Sequence, residues 1–144
     1  MYNRRVHGSL PRHVSPLMLK VLLVGAGGFI GSVLRYLIGG AAQSFAGTPA
    51  FPYGTLSVNV LGCFAIGFVS ELAESHGAFG AETRLFLVTG ILGGFTTFSA
   101  FGNETMNLLR DGEMLLGGLN IGLQLVLGLL AVWGGYTMAY LLWR

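Results

Sequence analysis

The chain has 144 residues, of which 53% are hydrophobic and only 10% are charged, and its formal net charge is +2. Soluble domains carry about 25% charged residues, so this composition excludes an ordinary soluble domain. The small, dispersed positive charge excludes a nucleic-acid-binding surface, and a single cysteine excludes an internal disulfide framework. The composition indicates a one-domain integral membrane protein.

Residues 1–16 contain three arginines but few apolar residues, and we expect them to form a basic, disordered N-terminal arm. Their charge is typical of the start of a signal peptide, but the apolar run that follows is long enough to span a membrane. It also lacks an Ala-x-Ala-like cleavage site, so we predict a retained helix.

Four apolar runs each have the roughly 20 residues that a hydrocarbon core about 30 Å thick requires. They cover about 17–40, 53–72, 85–109 and 114–143. The sequence therefore predicts an all-α fold with four transmembrane helices in residues 17–144 and both termini on one side. The positive-inside rule places the termini in the cytoplasm, although without the arm the charge bias between the two sides is small.

The first span contains glycines at 25, 28 and 31, a spacing found in some dinucleotide-binding turns. Such a turn also needs a preceding strand and an acidic residue about 20 positions later, and neither is predicted here. The pair Gly27/Gly31 instead predicts a close approach of another helix. Arg35, near the end of this span, is a candidate for a functional or pairing role.

The second span places Thr55 and Asn59 four residues apart, on one face of a helix. An asparagine amide carries two N–H donors, which can replace part of the hydration shell of an anion. A hydrogen bond between helices explains Asn59 equally well, and the sequence leaves both interpretations open.

The third span contains the most unusual segment, Gly93–Phe101, with paired glycines, three hydroxyls and three phenylalanines. Glycine weakens a helix, so we predict a break near Gly93-Gly94. Broken backbone at membrane depth is tolerated where it is buried in protein or faces a cavity, and its free carbonyls can coordinate a hard cation. The alternative is that Gly90 and Gly94 form a packing surface.

Phe98 and Phe101 lie three residues apart and share a helix face. The edge of a phenyl ring is positive, so edge-on rings can contact an anion without trapping it. Phenylalanines at this spacing are more commonly packing residues. The neighbouring hydroxyls of Thr96, Thr97 and Ser99 add support for a polar lumen, but threonine and serine can also bond the carbonyls of their own helix, so both interpretations stay open.

No nucleophile–base pair and no metal-ligand spacing is evident, so we do not expect an enzyme. One alternative is a secondary transporter of the small multidrug-resistance type, which needs a carboxylate in the first span for proton exchange. That span has none. A second alternative, a non-transporting scaffold subunit, leaves the clustered hydroxyls and Asn59 unexplained.

Two motifs in the correct order resemble the Fluc (CrcB-type) fluoride channels. They are Gly93–Phe101 with Glu104, and Gly54-Thr-Leu-x-Val-Asn59-x-x-Gly62. The resemblance runs from about Met18 to the C-terminus. It implies a passive fluoride channel that exports fluoride across the bacterial inner membrane. It also implies an antiparallel dual-topology homodimer with two pores, surrounded by lipid.

The resemblance further implies roles for single residues. Phe98 and Phe101 would line the pores, Asn59 would contribute its amide, and Ser99 would belong to a polar track. Arg35 would lie near a vestibule, and Thr55 shares the face of Asn59. The backbone carbonyls of Gly93 and Thr96 would bind a structural sodium ion between the subunits.

Three features depart from the family pattern. Ala100 replaces a common hydroxyl residue, and Gln124 stands where a serine is frequent. The basic arm is unusual for dual topology, and if it fixes one orientation a paralogous partner of opposite orientation would be needed.

Overall fold

The computed structural model describes residues 15–75, 77 and 79–143, and four of its helices are long and apolar enough to cross a membrane. The predicted all-α membrane fold is confirmed. The predicted arm lies outside the described residues, except for Ser15 and Pro16, which begin the first helix.

Helix α1 covers Pro16–Ala46, longer than the predicted 17–40. The Ser15 hydroxyl accepts a hydrogen bond from the Met18 N–H at 3.1 Å and caps its start. The helix continues past the predicted end at residue 40 and stops only where Gly47 adopts φ +67°, a left-handed conformation that ends helices.

Helix α2 covers Tyr53–Ser75, and the third span covers Ala81–Arg110. We label the first half of the third span, residues 81–95, α3. It comprises an α-helical turn Ala81–Arg84, a π-helix Leu85–Leu92 and an α-helical turn Gly93–Phe95. Helix α4, Phe98–Arg110, is the second half. A turn containing Gly112 at φ +83° leads to α5, Met114–Leu142.

The third span is broken as expected, but the interruption lies at Thr96-Thr97, just beyond the glycines named in the prediction. Gly93 keeps helical angles of φ −62° and ψ −36°, whereas Thr96 and Thr97 are extended. The glycines have a packing role instead. A Cβ on Gly94 would lie 2.5 Å from the carbonyl oxygen of Gly28 in α1.

Close helix packing at glycines explains the high glycine content. The predicted approach at Gly27/Gly31 is confirmed, because a Cβ on Gly27 would lie 2.7 Å from the Phe86 carbonyl oxygen of α3. Helices α2 and α5 share the most extensive contact, and there a Cβ on Gly135 would lie 2.9 Å from the backbone nitrogen of Phe68. Small residues let membrane helices approach this closely.

Candidate functional site

The break at Thr96-Thr97 frees two carbonyl groups. In an α-helix the N–H of each residue donates to the carbonyl four residues earlier. Here the Thr97 N–H donates instead to Asn59 Oδ1 at 2.8 Å, and the Ala100 N–H donates to Thr97 Oγ1 at 3.2 Å. The carbonyls of Gly93 and Thr96 therefore lose the donors that a continuous α-helix would give them.

Arg35 lies at one of these carbonyls. Its Nη1 donates to the Thr96 carbonyl oxygen at 3.3 Å, and its side chain is half-buried. The sequence predicted a functional or pairing role for this arginine, and the structure shows a pairing with the broken backbone. A carbonyl oxygen has two lone pairs, so the Thr96 carbonyl retains capacity for a second ligand.

Asn59 holds the break from the facing helix α2. Its Oδ1 accepts from the Thr97 N–H, and its Nδ2 donates to the Thr97 carbonyl oxygen at 3.1 Å. Nδ2 also donates to Gln124 Oε1 at 3.1 Å. Both amide hydrogens of Asn59 thus have protein acceptors, so the helix–helix bonding that the sequence left open is present in the structure.

A cavity of about 360 Å³, the aromatic cavity, lies beside the break and is lined by Phe98, Phe101, Asn59 and Gln124, among others. The two phenyl rings meet edge to face, with centroids 5.4 Å apart and planes at 64°. Phe98 is 81% exposed in the single chain. Gly62 of α2 allows the break to pack here, because a Cβ at that position would collide with Thr96 Cγ2.

A second cavity of about 570 Å³, the vestibule, is more polar and is lined by Arg35, Thr55, Ser99 and Glu104, among others. The Thr55 hydroxyl donates to Glu104 Oε1 at 2.6 Å. Ser99 Oγ lies 3.3 Å from Thr97 Oγ1. Glu104 Oε2 is buried and has no hydrogen-bond partner among the described residues.

The structure therefore divides the predicted pathway residues into two groups. Phe98, Phe101 and Asn59 line the aromatic cavity, whereas Arg35, Thr55 and Ser99 line the vestibule. Thr97 lines both cavities, so the broken backbone stands where the two groups meet.

Sequence reasoning missed two polar elements next to the site. Gln43 donates to the carbonyls of Thr48 and Phe51, at 2.7 and 3.1 Å, and accepts from the Gly54 N–H at 3.0 Å. This side chain, which also lines the vestibule, fixes the loop between α1 and α2. A glutamine followed by a Gly/Pro-rich linker was the available signal, but it does not specify the partners.

The second missed element joins α4 to α5. Asn120 is fully buried and donates to Thr105 Oγ1 at 2.9 Å, while the Thr105 hydroxyl donates to the Phe101 carbonyl oxygen at 2.8 Å. Asn120 and Gln124 are four residues apart and so share a helix face. Two amides at this spacing in an apolar span were the sequence signal for a polar face of α5.

Comparison with known proteins gives consistent matches. The family model described as "CrcB-like protein, Camphor Resistance (CrcB)" matches residues 22–136. A Rhizobium etli protein named "Fluoride-specific ion channel FluC" is 50% identical over 121 residues, covering 84% of this chain and 96% of the relative. The protein of that name from Chlorobaculum tepidum is 51% identical over 125 residues, covering 87% and 98%. "Fluoride-specific ion channel FluC 3" from Methanosarcina barkeri is 45% identical over 123 residues, covering 85% and 91%.

Proposed function

The chain belongs to the CrcB-like family, and from this membership and the geometry of the site we propose that it is a fluoride-selective passive ion channel rather than an enzyme. It is a multi-pass membrane protein, which we place in the bacterial inner membrane. There it would let fluoride leave the cytoplasm down its electrochemical gradient and so lower the cytoplasmic concentration.

One observation carries this proposal: a membrane helix is interrupted beside a cavity that presents two phenyl rings edge to face. Ring edges are weakly positive and carry no full charge. Conduction needs binding that is favourable enough for an ion to enter and weak enough for it to leave. Phe98 and Phe101 meet this condition for a small anion, whereas a lysine or arginine in the same place would hold the ion.

The vestibule provides the polar approach to these rings. The positive charge of Arg35 attracts anions into the vestibule. The hydroxyls of Thr55 and Ser99 are neutral donors that can replace water molecules in the hydration shell of the ion. Thr55 presently donates to Glu104, so its hydroxyl must turn to serve an ion. Fluoride would thus pass between the charged vestibule and the apolar aromatic cavity along the backbone of Thr97, which Asn59 holds by hydrogen bonds.

We propose further that two copies assemble as an antiparallel homodimer. Phe98 and Gly93 are exposed in the single chain, although both line the aromatic cavity. The weak charge bias of the four-helix body allows both orientations in the membrane. A second copy packed against this face would close the cavity, and a paralogous chain of opposite orientation is the alternative partner.

A structural sodium ion fits the freed carbonyls of Gly93 and Thr96, because hard cations prefer oxygen ligands. Two carbonyls alone supply too few oxygen ligands for such a cation. A two-fold related copy would contribute the same pair. When bound, the ion would neutralise converging carbonyl dipoles at the subunit interface. The Thr96 carbonyl would share its lone pairs between the ion and Arg35.

Fluoride efflux from liposomes, followed with an electrode, tests the function. We expect rapid fluoride efflux without proton coupling and no chloride efflux. Phe98→Ile and Phe101→Ile should each lower the rate by more than roughly tenfold, a barrier increase of about 1.4 kcal/mol, while assembly is unchanged. Phe29→Ile is the matched control, because Phe29 is 72% exposed on α1 and lines neither cavity.

The possible results separate the candidate functions. If liposomes that contain the wild-type protein release no fluoride, the result would support a scaffold role. Proton-coupled fluoride efflux would support a secondary transporter. Full fluoride flux in both phenylalanine variants would remove the aromatic rings from the pathway.

A further inference from the structure

The orientation of the Gln124 side chain is fixed by hydrogen bonds that begin at the backbone of the break. The Thr97 N–H can only donate and the Thr97 carbonyl oxygen can only accept. Asn59 must therefore direct Oδ1 to the N–H and Nδ2 to the carbonyl, as observed at 2.8 and 3.1 Å. This resolves the two-fold ambiguity of the Asn59 amide.

The same reasoning extends from Asn59 to Gln124. Nδ2 of Asn59 is a donor, so the Gln124 atom that lies 3.1 Å from it must be the acceptor Oε1. The Nε2 group of Gln124 must then point away from Asn59. Gln124 is thereby oriented by a series of contacts that starts at the Thr97 peptide.

Gln124 Nε2 is buried and has no hydrogen-bond partner among the described residues. Its side chain lines the aromatic cavity together with Phe98 and Phe101. A buried amide donor without a partner is unfavourable and calls for a ligand or an ordered water. Asn59, by contrast, already uses both of its amide hydrogens.

We propose that Gln124 Nε2, and not the Asn59 amide, is the N–H donor that contacts fluoride in the aromatic cavity. This inference rests on the proposed function. Asn59 is then a positioning residue: it holds Oε1 of Gln124 so that the Nε2 hydrogens remain available. A neutral amide gives the anion a directed donor without a full charge, which preserves its release.

Selective labelling offers a direct test, because the chain contains only two glutamines, Gln43 and Gln124. Full-length protein with ¹⁵N in the glutamine side-chain amides, reconstituted in lipid nanodiscs, should give two amide signals, and Gln124→Met assigns them. Titration with sodium fluoride should shift the Gln124 signal. Gln43 is the internal control, since its Nε2 already donates to two carbonyls, and sodium chloride should shift neither signal.

Flux measurements form the second arm. Gln124→Met keeps the length of the side chain but removes the donor, and it should lower fluoride efflux roughly tenfold, the effect of losing one hydrogen bond to an ion. Asn59→Asp keeps an acceptor for the Thr97 N–H but presents an oxygen to Gln124, which should attract Nε2. We expect this variant to abolish the fluoride-dependent shift of Gln124, and Gln124→Met added to it should cause no further loss of flux.

Two results would overturn the inference while leaving the channel function intact: an unmoved Gln124 signal in a wild-type protein that conducts fluoride, or wild-type flux in Gln124→Met. A fluoride-dependent Gln124 signal that survives in Asn59→Asp would remove the positioning role of Asn59. Absence of fluoride flux from the wild-type protein would instead refute the proposed function.

Discussion

Replacing Asn59 by leucine should open the broken backbone of the third span without unfolding the helix bundle. Asn59 provides the acceptor for the Thr97 N–H, at 2.8 Å, and a donor to the Thr97 carbonyl. Leucine has a similar volume but neither group. The variant therefore leaves the partly buried Thr97 N–H without an acceptor. The expected cost in local stability is about 2 kcal/mol, within the range for an unsatisfied buried donor.

Hydrogen–deuterium exchange in nanodiscs measures this cost where it arises. A loss of about 2 kcal/mol corresponds to a roughly 30-fold faster exchange of the Thr97 amide, if exchange follows local opening. We expect the increase in peptides that contain Thr97 and unchanged exchange in the middle of α5. Asn103→Leu is the control, because Asn103 lies on α4 and its side chain is exposed.

Unchanged exchange at Thr97 in Asn59→Leu would show that the side chain does not hold the break. An increase spread over all helices, or an equal increase in Asn103→Leu, would also refute the local role, because either result would indicate a general loss of packing.

Three further perturbations test other parts of the structure. Gly135→Ala should lower the free energy of unfolding by about 1–3 kcal/mol, the usual cost of overpacking, because its Cβ would collide with the backbone of α2. The adjacent Gly134→Ala has open space around its Cβ and should be neutral or stabilising. Equal thermal melting midpoints for the two variants would contradict the close packing of α2 and α5 at Gly135. Thr105→Val leaves the buried Asn120 amide without its acceptor and should lower the free energy of unfolding by about 1–3 kcal/mol. Thr105→Val combined with Asn120→Leu should recover most of this loss, since an unpaired buried group costs more than an absent pair. A double variant that melts no higher than Thr105→Val would argue against the pair. Replacing sodium by choline at constant ionic strength should lower the melting midpoint and the dimer fraction in size-exclusion chromatography, and identical values in both salts would contradict the structural cation.

Much of the fold followed from local features of the sequence. The four spans are long apolar runs, and the turn at Gly112 lies in the gap between the predicted runs 85–109 and 114–143. The ends of the helices were less predictable from the sequence. Helix α1 continues to Ala46, because residues 41–46 contain no glycine or proline that would stop it before Gly47 adopts the left-handed conformation.

The location of the break shows why local reasoning fell short. Paired glycines predicted it, since glycine weakens a helix, yet Gly94 is helical and serves the close approach of Gly28. The extended residues are threonines. They are held out of the helix by the Asn59 side chain and by the Thr97 hydroxyl that caps α4, and only the first of these partners is distant in sequence.

The sequence by itself determined that this is a four-span membrane protein of a recognisable family, because span length, hydropathy and contiguous motifs are local properties of the chain. It also placed Phe98, Phe101 and Asn59 among the candidates. Only the tertiary structure decided which amide hydrogens already have partners. Those partners are 38 and 65 residues from Asn59 along the chain. A hydrogen bond depends on distances of about 3 Å between such residues, and composition and spacing carry no record of those distances.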